Sequence, residues 1–320
     1  MRRWAAVVWA LATLLTCGAP RDALSPDRSD TQGRLAFIAE DGNGKLQILV
    51  ARPDGSGAVP LTNDAADYSG PSWSPDARQL AVASNRGGRR DYDIYVLSLD
   101  SAQPRRVAGD TGSELAPAWS PDGQKIAFQT KASEEKGWDI FVVNLDGSGL
   151  RNLTDAAGND ELPSWSPDGR RIAFQTTPGV GNSVDIFLMD ADGSHRVQLT
   201  PPGGAIYGAP AWSPDGTMIA FESNQHQKGG QTTGVGEFEI YRMRADGGQI
   251  QRLTSGADPT HIFRFPTWSP DGKRIAFESQ EVMEETFTVR HRLMVMNADG
   301  TQLQEIQPLR GGQFPRWSPR

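Results

Sequence analysis

The sequence predicts an all-β fold: a six-bladed β-propeller whose ring is closed by N- and C-terminal strands sharing one blade. Three observations point there. Trp-Ser-Pro-Asp followed by Gly or Ala recurs at Trp73, Trp119, Trp165, Trp212 and Trp268, and a shortened sixth copy stands at Trp317-Ser318-Pro319. The copies are 46, 46, 47, 56 and 49 residues apart, a period that marks a repeat architecture. Gly (35) and Pro (22) are abundant and long helix-period stretches are missing, which suits many short strands joined by turns.

Residues 1–17 read as a secretory leader. Arg2-Arg3 precede an apolar run from Trp4 to Leu15 that is too short to span a membrane comfortably. Leu14-Leu15-Thr16-Cys17 resembles a bacterial lipobox, in which the cysteine is lipidated and becomes the first mature residue. Cleavage after Ala19 is the competing reading, and Pro20 directly beyond that bond argues against it. Cys17 is the only cysteine, so the repeats can hold no internal disulfide and depend on packing. Residues 18–32, polar and carrying Pro20 and Pro26, read as a flexible linker.

The propeller is assigned to residues 33–320, and one repeat shows how it is built. Ala118-Trp119-Ser120 is a short strand, and Pro121-Asp122-Gly123 is a tight turn with Gly in the left-handed place. Ile126-Ala127-Phe128 is a second strand with two large side chains on one face and a small one on the other. Asp139 to Val143 is a third, Asp146-Gly147 turns the chain, and Leu153-Thr154 ends a fourth. A four-stranded unit that is apolar on both faces must be covered on both sides, and radial repetition does this. The tryptophans are then packing between blades.

The ends fix the blade count. Leu35-Ala36-Phe37, Leu46 to Val50 and Leu61-Thr62 are strands two, three and four of a unit with no Trp-Ser-Pro strand before them. Trp317-Ser318-Pro319 is a first strand with nothing after it. Together they make the sixth blade and remove the open edges of the array.

Trp-Ser-Pro-Asp-Gly-x-x-Ile-Ala-Phe, followed by Asp-Ile-Phe-Val and Asp-Gly, resembles the WD40-like (PD40) repeat of the TolB-type six-bladed propellers. The resemblance implies a non-catalytic, exported protein that binds a protein or peptide, such as an envelope lipoprotein, in the periplasm or cell envelope. TolB carries an α/β domain ahead of its propeller, whereas here the repeats follow the linker directly. Propellers of this kind also precede the hydrolase domain of prolyl-oligopeptidase-type peptidases, but the chain has no Gly-x-Ser-x-Gly elbow.

The short Ser-Pro-Asp-Gly and Asp-Gly turns share one side of a meander and are alike in every unit. The loops on the other side differ sharply, and discrimination between partners is expected there. Tyr68, Glu114, Glu161, Tyr207, Phe263 and Arg264 are read as between-blade loop residues rimming the channel, where aromatic and Arg anchors suit an interface. The alternative is a propeller lyase or hydrolase acting on a sugar or lactone with channel-lining carboxylates, Glu114 or Glu161 among them, as acid and base.

Asp93, Asp139, Asp185 and Glu239 recur just before strand three. They are read as structural acceptors for backbone or Ser/Thr donors, with a Ca²⁺-binding carboxylate ring as the competing reading. His195, His226, His261 and His291 lack metal-ligand spacing and are expected at the surface. No cofactor or metal is expected. The formal charge of −7 becomes −9 once Arg2 and Arg3 leave with the leader, which excludes a nucleic-acid footprint and leaves a lipid anchor as the only membrane link. A monomer is expected.

Overall fold

The computed structural model describes residues 33–319 except 89–90, 102, 110–111, 132–136, 156–157, 179–182, 226–237, 256–260 and 284–287. The leader, Cys17, the linker, His226 and nearly all of the 225–236 insertion therefore lie outside the described residues. Among the described residues, twenty-four strands form six four-stranded antiparallel sheets. Five sheets are meanders of consecutive strands, and the sixth unites the ends of the described chain. In that sheet Gln313–Trp317 pairs antiparallel with Leu35–Glu40, with Leu35 opposite Trp317 and Ala36 opposite Arg316. The first strands are Tyr68–Trp73, Leu115–Trp119, Gly158–Trp165, Tyr207–Trp212, His261–Trp268 and Gln313–Trp317. Each contacts the next around the ring, the last against the first.

The repeated turn is held by its own side chains. Ser120 Oγ donates to Asp122 Oδ1 at 2.6 Å and accepts from the Lys125 N–H at 2.9 Å, while Asp122 also accepts from the Gln124 N–H at 3.0 Å. Gly123 takes φ 73°, and in the copy that carries Ala77 instead that residue is left-handed at 55°. The same 2.6 Å Ser–Asp bond recurs at Ser74, Ser166, Ser213 and Ser269.

These bonds predict an acid transition. The hydrogen bond from serine is the main reason that Asp76, Asp122, Asp168 and Asp215 sit below the ordinary carboxylate range. An aspartate depressed in the folded state stabilises the fold above its unfolded pKa, and that contribution fades as pH falls through the folded value. Burial raises Asp160 and Asp185 and works in the opposite sense, but they are outnumbered. The thermal midpoint should stay level from pH 7 to 5 and fall below about pH 4. Calorimetry across that range checks it, and Ser120→Ala should shallow the acid limb.

Blade stacking explains the Ile-Ala-Phe pattern. Ile126, Ala127 and Phe128 are wholly buried, as are Ile219, Ala220 and Phe221. The large pair of one blade packs on the small alanine of its neighbour: Ala173 with Ile219 and Phe221, Ala220 with Ile275 and Phe277, Ala276 with Leu35 and Phe37. A large face on a small face lets sheets approach closely without voids. Four of the repeat tryptophans, Trp73, Trp165, Trp212 and Trp268, add a polar clasp between blades. The indole N–H of Trp73 donates to the Arg316 carbonyl at 3.0 Å, that of Trp212 to Ser164 at 3.2 Å, and that of Trp268 to Ala211 at 3.1 Å.

The carboxylates before strand three are structural. Asp139, 1% exposed, accepts from Thr154 Oγ1 at 3.2 Å and Asn152 Nδ2 at 3.0 Å, and Thr154 Oγ1 accepts from the Ile140 N–H at 2.9 Å. Asp185–Thr200 and Glu239–Thr254 repeat the clasp, and Asp93 receives Arg106 Nε at 2.8 Å. Their oxygens are committed within their own blades, not gathered on the axis. Among the described residues no three His, Cys, Asp or Glu side chains converge to hold a metal ion.

Candidate functional site

Each copy in fact reads Pro-x-Trp-Ser-Pro, and the residue before that first proline is left-handed in all six blades. These are Gly70, Ala116, Leu162, Ala209, Phe265 and Phe314, with φ between 49° and 57°. The strand register slips at the same place, between Ser69 and Ser72, Leu115 and Ala118, Glu161 and Ser164, and their counterparts. A β-bulge thus interrupts each inner strand, and pairing resumes beyond it.

The bulge corrects the sequence reading. By position in the repeat, the residues upstream of that proline read as between-blade loops. Tyr68, Glu161, Tyr207, Phe263 and Arg264 instead lie in strands, and Glu114 lies one residue before one. The extra residue also decides which way they face. Tyr68 (0% exposed), Glu114 (0%), Tyr207 (4%) and Phe263 (6%) turn into the interior rather than to the rim. Tyr68 donates to Asp64 at 2.8 Å, Tyr207 to Gln225 at 3.2 Å, and Phe263 packs edge-on against Phe277. Burial, and then the hydrogen bond to Asp64, push the Tyr68 hydroxyl far above its ordinary pKa. Glu161 and Arg264 do line the axis.

They line a cavity of about 710 Å³ running along the inner strands, from the level of Glu161 and Arg264 to Pro167, Pro214 and Pro270 at the turns. Three layers of wall follow from the repeat. Four residues before the tryptophans stand Ser69, Leu115, Glu161, Gly208, Arg264 and Gln313, a different residue in every blade, of which Ser69, Leu115, Glu161 and Arg264 line the cavity. The bulge layer is next and then the residue just before each tryptophan, which is Ser, Ala or Thr in five blades and Arg316 in the sixth.

The sequence reading missed the side chains that hold these layers. One residue past Ile-Ala-Phe stands Gln129, Gln175, Glu222 or Glu278, each accepting the N–H of the next blade's bulge residue. The bonds run from Leu162 at 2.9 Å, Ala209 at 3.2 Å, Phe265 at 2.9 Å and Phe314 at 3.0 Å. The recurrence of Gln or Glu after Ile-Ala-Phe was the available signal. Glu161 sits between two of these amides, 3.4 Å from Gln129 Nε2 and 3.2 Å from Gln175 Nε2.

Glu222 receives Arg264 Nε at 3.0 Å and Nη2 at 2.7 Å. Burial lowers the Arg264 pKa, but Glu222 outweighs it and leaves the guanidinium above its usual value. The same guanidinium lies 5.1 Å from the ring centres of Phe238 and Phe265, and Phe265 meets Phe314 at 4.2 Å. Of the histidines, His195 is exposed in a turn and bonded to Asp190. His261 lies against Phe263. His291, contrary to a surface placement, is half-buried with Nδ1 2.8 Å from Glu278.

Left-handed backbone costs an ordinary side chain about 1–2 kcal/mol, and Gly70 shows that the bulge accommodates glycine. Ala116→Gly should therefore stabilise the protein by roughly 0.5–1 kcal/mol in urea unfolding. Gly70→Ala should cost about as much.

Fold and cavity define a six-bladed β-propeller with an axial pocket, varied at one mouth and uniform at the turns. The chain matches the PD40 family, described as the TolB beta propeller domain, over residues 21–320, and belongs to that family. It resembles the Tol-Pal system protein TolB of Thioalkalivibrio sulfidiphilus at 33% identity over 82 residues, 25% of this chain and 18% of that protein. The crystal structure of TolB from Acinetobacter baumannii superposes with a TM-score of 0.72 at 22% identity, covering 90% of this chain and 67% of that one. The structure of putative TolB from Agrobacterium tumefaciens gives 0.66 at 25% identity, covering 88% and 91%. The sequence match therefore spans under a fifth of that curated relative's length.

Proposed function

We propose that this chain is a non-catalytic, exported, TolB-like propeller that binds a protein or peptide partner at the varied mouth of its axial cavity, at the bacterial cell envelope. The observation that carries the reading is the contrast within the repeat. The Ser-Pro-Asp turns and tryptophans are the same in blade after blade, whereas the layer holding Glu161 and Arg264 differs in all six. Leu162, Phe265 and Phe314 add support: bulky apolar residues hold strained backbone at a wall where Gly70 would serve, and such strain concentrates at ligand sites. The partner class follows from kinship with a protein of the Tol-Pal system, and an envelope lipoprotein fits it. Export rests on the leader-like residues 1–17 and anchoring on Cys17, with the propeller acting as a monomer without a cofactor.

The catalytic alternative is left with one carboxylate on the cavity wall among the described residues, Glu161, since Glu114 is wholly buried. Recovery of partners from envelope extracts on immobilised wild type and on Glu161→Lys/Leu162→Ala tests the reading. Specific recovery should fall at least tenfold with the variant, and equal recovery removes this mouth as the interface. Polyuronate or lactone turnover lost in Glu161→Gln would replace the reading with an enzyme. The intact mass of the exported chain separates an acylated Cys17 start from an unmodified Pro20 start.

A further inference from the structure

Arg316 breaks the pattern of the layer just before the tryptophans. The equivalent residues are Ser72, Ala118, Ser164, Ala211 and Thr267, all small, so the channel at this depth is open except for one guanidinium. Within the protein it donates Nη1 to the Pro315 carbonyl at 2.9 Å, and among the described residues no carboxylate oxygen lies within 4 Å of it. Burial holds its pKa down at about 10, partly countered by the charge of Glu222. It is nevertheless protonated at neutral pH. Glu222 does not neutralise it directly, because both of its oxygens are taken by Arg264 and the Phe265 N–H. A partly desolvated guanidinium with free donors is a strong site for a planar carboxylate, which it can grip through two parallel N–H bonds.

From this geometry we infer that Arg316 anchors the C-terminal carboxylate of a peptide segment that enters the axial cavity end-first. The inference rests on the peptide-binding reading and names the chemistry that the channel selects. Arg316 lies three residues deeper than the Glu161–Arg264 layer, a step that the bulge compresses to two residues of the paired strand, roughly 7 Å, so only a slender ligand reaches it. Beyond it the wall includes Pro167, Pro214 and Pro270, whose rings carry no N–H, and among the described lining residues Arg316 is the deepest charged donor. That suits a chain terminus better than a carboxylate in mid-segment. The Phe265–Phe314 pair one layer above offers apolar contact to the last side chains. Glu161 stands three blades away, on the opposite wall, and can accept a main-chain N–H or a cationic side chain.

The test uses an equimolar pool of N-acetylated tetrapeptides with free C-termini, the same pool amidated at the C-terminus, and galacturonate. Binding to the whole protein is read by saturation-transfer NMR and then by titration of the strongest peptides. Arg316→Ser is the informative variant, since Ser72 and Ser164 already occupy that position in other blades and the fold tolerates it. Free-acid peptides should bind wild type, and both C-terminal amidation and Arg316→Ser should weaken them at least tenfold, with unchanged thermal midpoint. Equal binding of amidated peptides, or of either pool to Arg316→Ser, overturns the carboxylate anchor while leaving a peptide-binding channel in place. Binding of galacturonate alone overturns the peptide as occupant. Absence of all peptide binding at millimolar concentration overturns both this inference and the reading beneath it.

Discussion

Phe221→Ala is expected to destabilise the protein by about 3–5 kcal/mol, a fall of roughly 10 °C in thermal midpoint. The ring is 0% exposed and lies between the Tyr207 and Tyr241 rings, at 6.1 and 5.7 Å, over Ala173 of the neighbouring blade. Its removal leaves a hole at a blade interface whose other wall is a small residue on a paired strand, so little can move in to fill it. Overpacking from the opposite side should also be felt. Ala173→Leu is expected to cost about 1–3 kcal/mol, because the large-on-small fit has no slack. Urea unfolding monitored by tryptophan fluorescence measures both. A cost below 1 kcal/mol for Phe221→Ala would mean that the blades are not locked by this alternation.

Glu222→Ala should be the most damaging change at the cavity wall, at about 2–4 kcal/mol. It strips the acceptor from the Phe265 N–H and leaves Arg264 without its counter-charge. The figure stays below that for a wholly enclosed pair because the Arg264 side chain is 35% exposed and water screens it. Glu222→Gln should cost clearly less. Gln129 and Gln175 already serve the same backbone N–H in their own blades, so only the ion pair is lost. Equal costs for Ala and Gln would show that the charge, and not the bulge N–H, is what Glu222 secures.

The fold was open to reading because its determinants are local and repeated. Trp119-Ser120-Pro121-Asp122-Gly123 closes its turn with its own hydroxyl and carboxylate, and Ile126-Ala127-Phe128 states the two-sided packing within three residues. The pairing of Leu35 with Trp317 followed from matching unlike ends to one template. The cavity wall was harder to read. Tyr68 and Glu161 looked equivalent upstream of a proline, yet Tyr68 is buried and Glu161 lines the axis. That difference rests on where the bulge falls relative to each residue. Gln129, Glu222 and Arg316 were not legible in the sequence because each acts on a neighbouring blade or on the axial cavity, not on its own turn.

The sequence by itself determined the number of blades, the composition of each sheet and the joining of the ends, since these depend on residues a few places apart and on a counted period. The tertiary structure alone decided which side chains face the axis. One residue in left-handed backbone before each proline shifts the alternation of the strand, and only closure of six such strands around one line sets Glu161 opposite Arg316 and leaves that guanidinium facing open space.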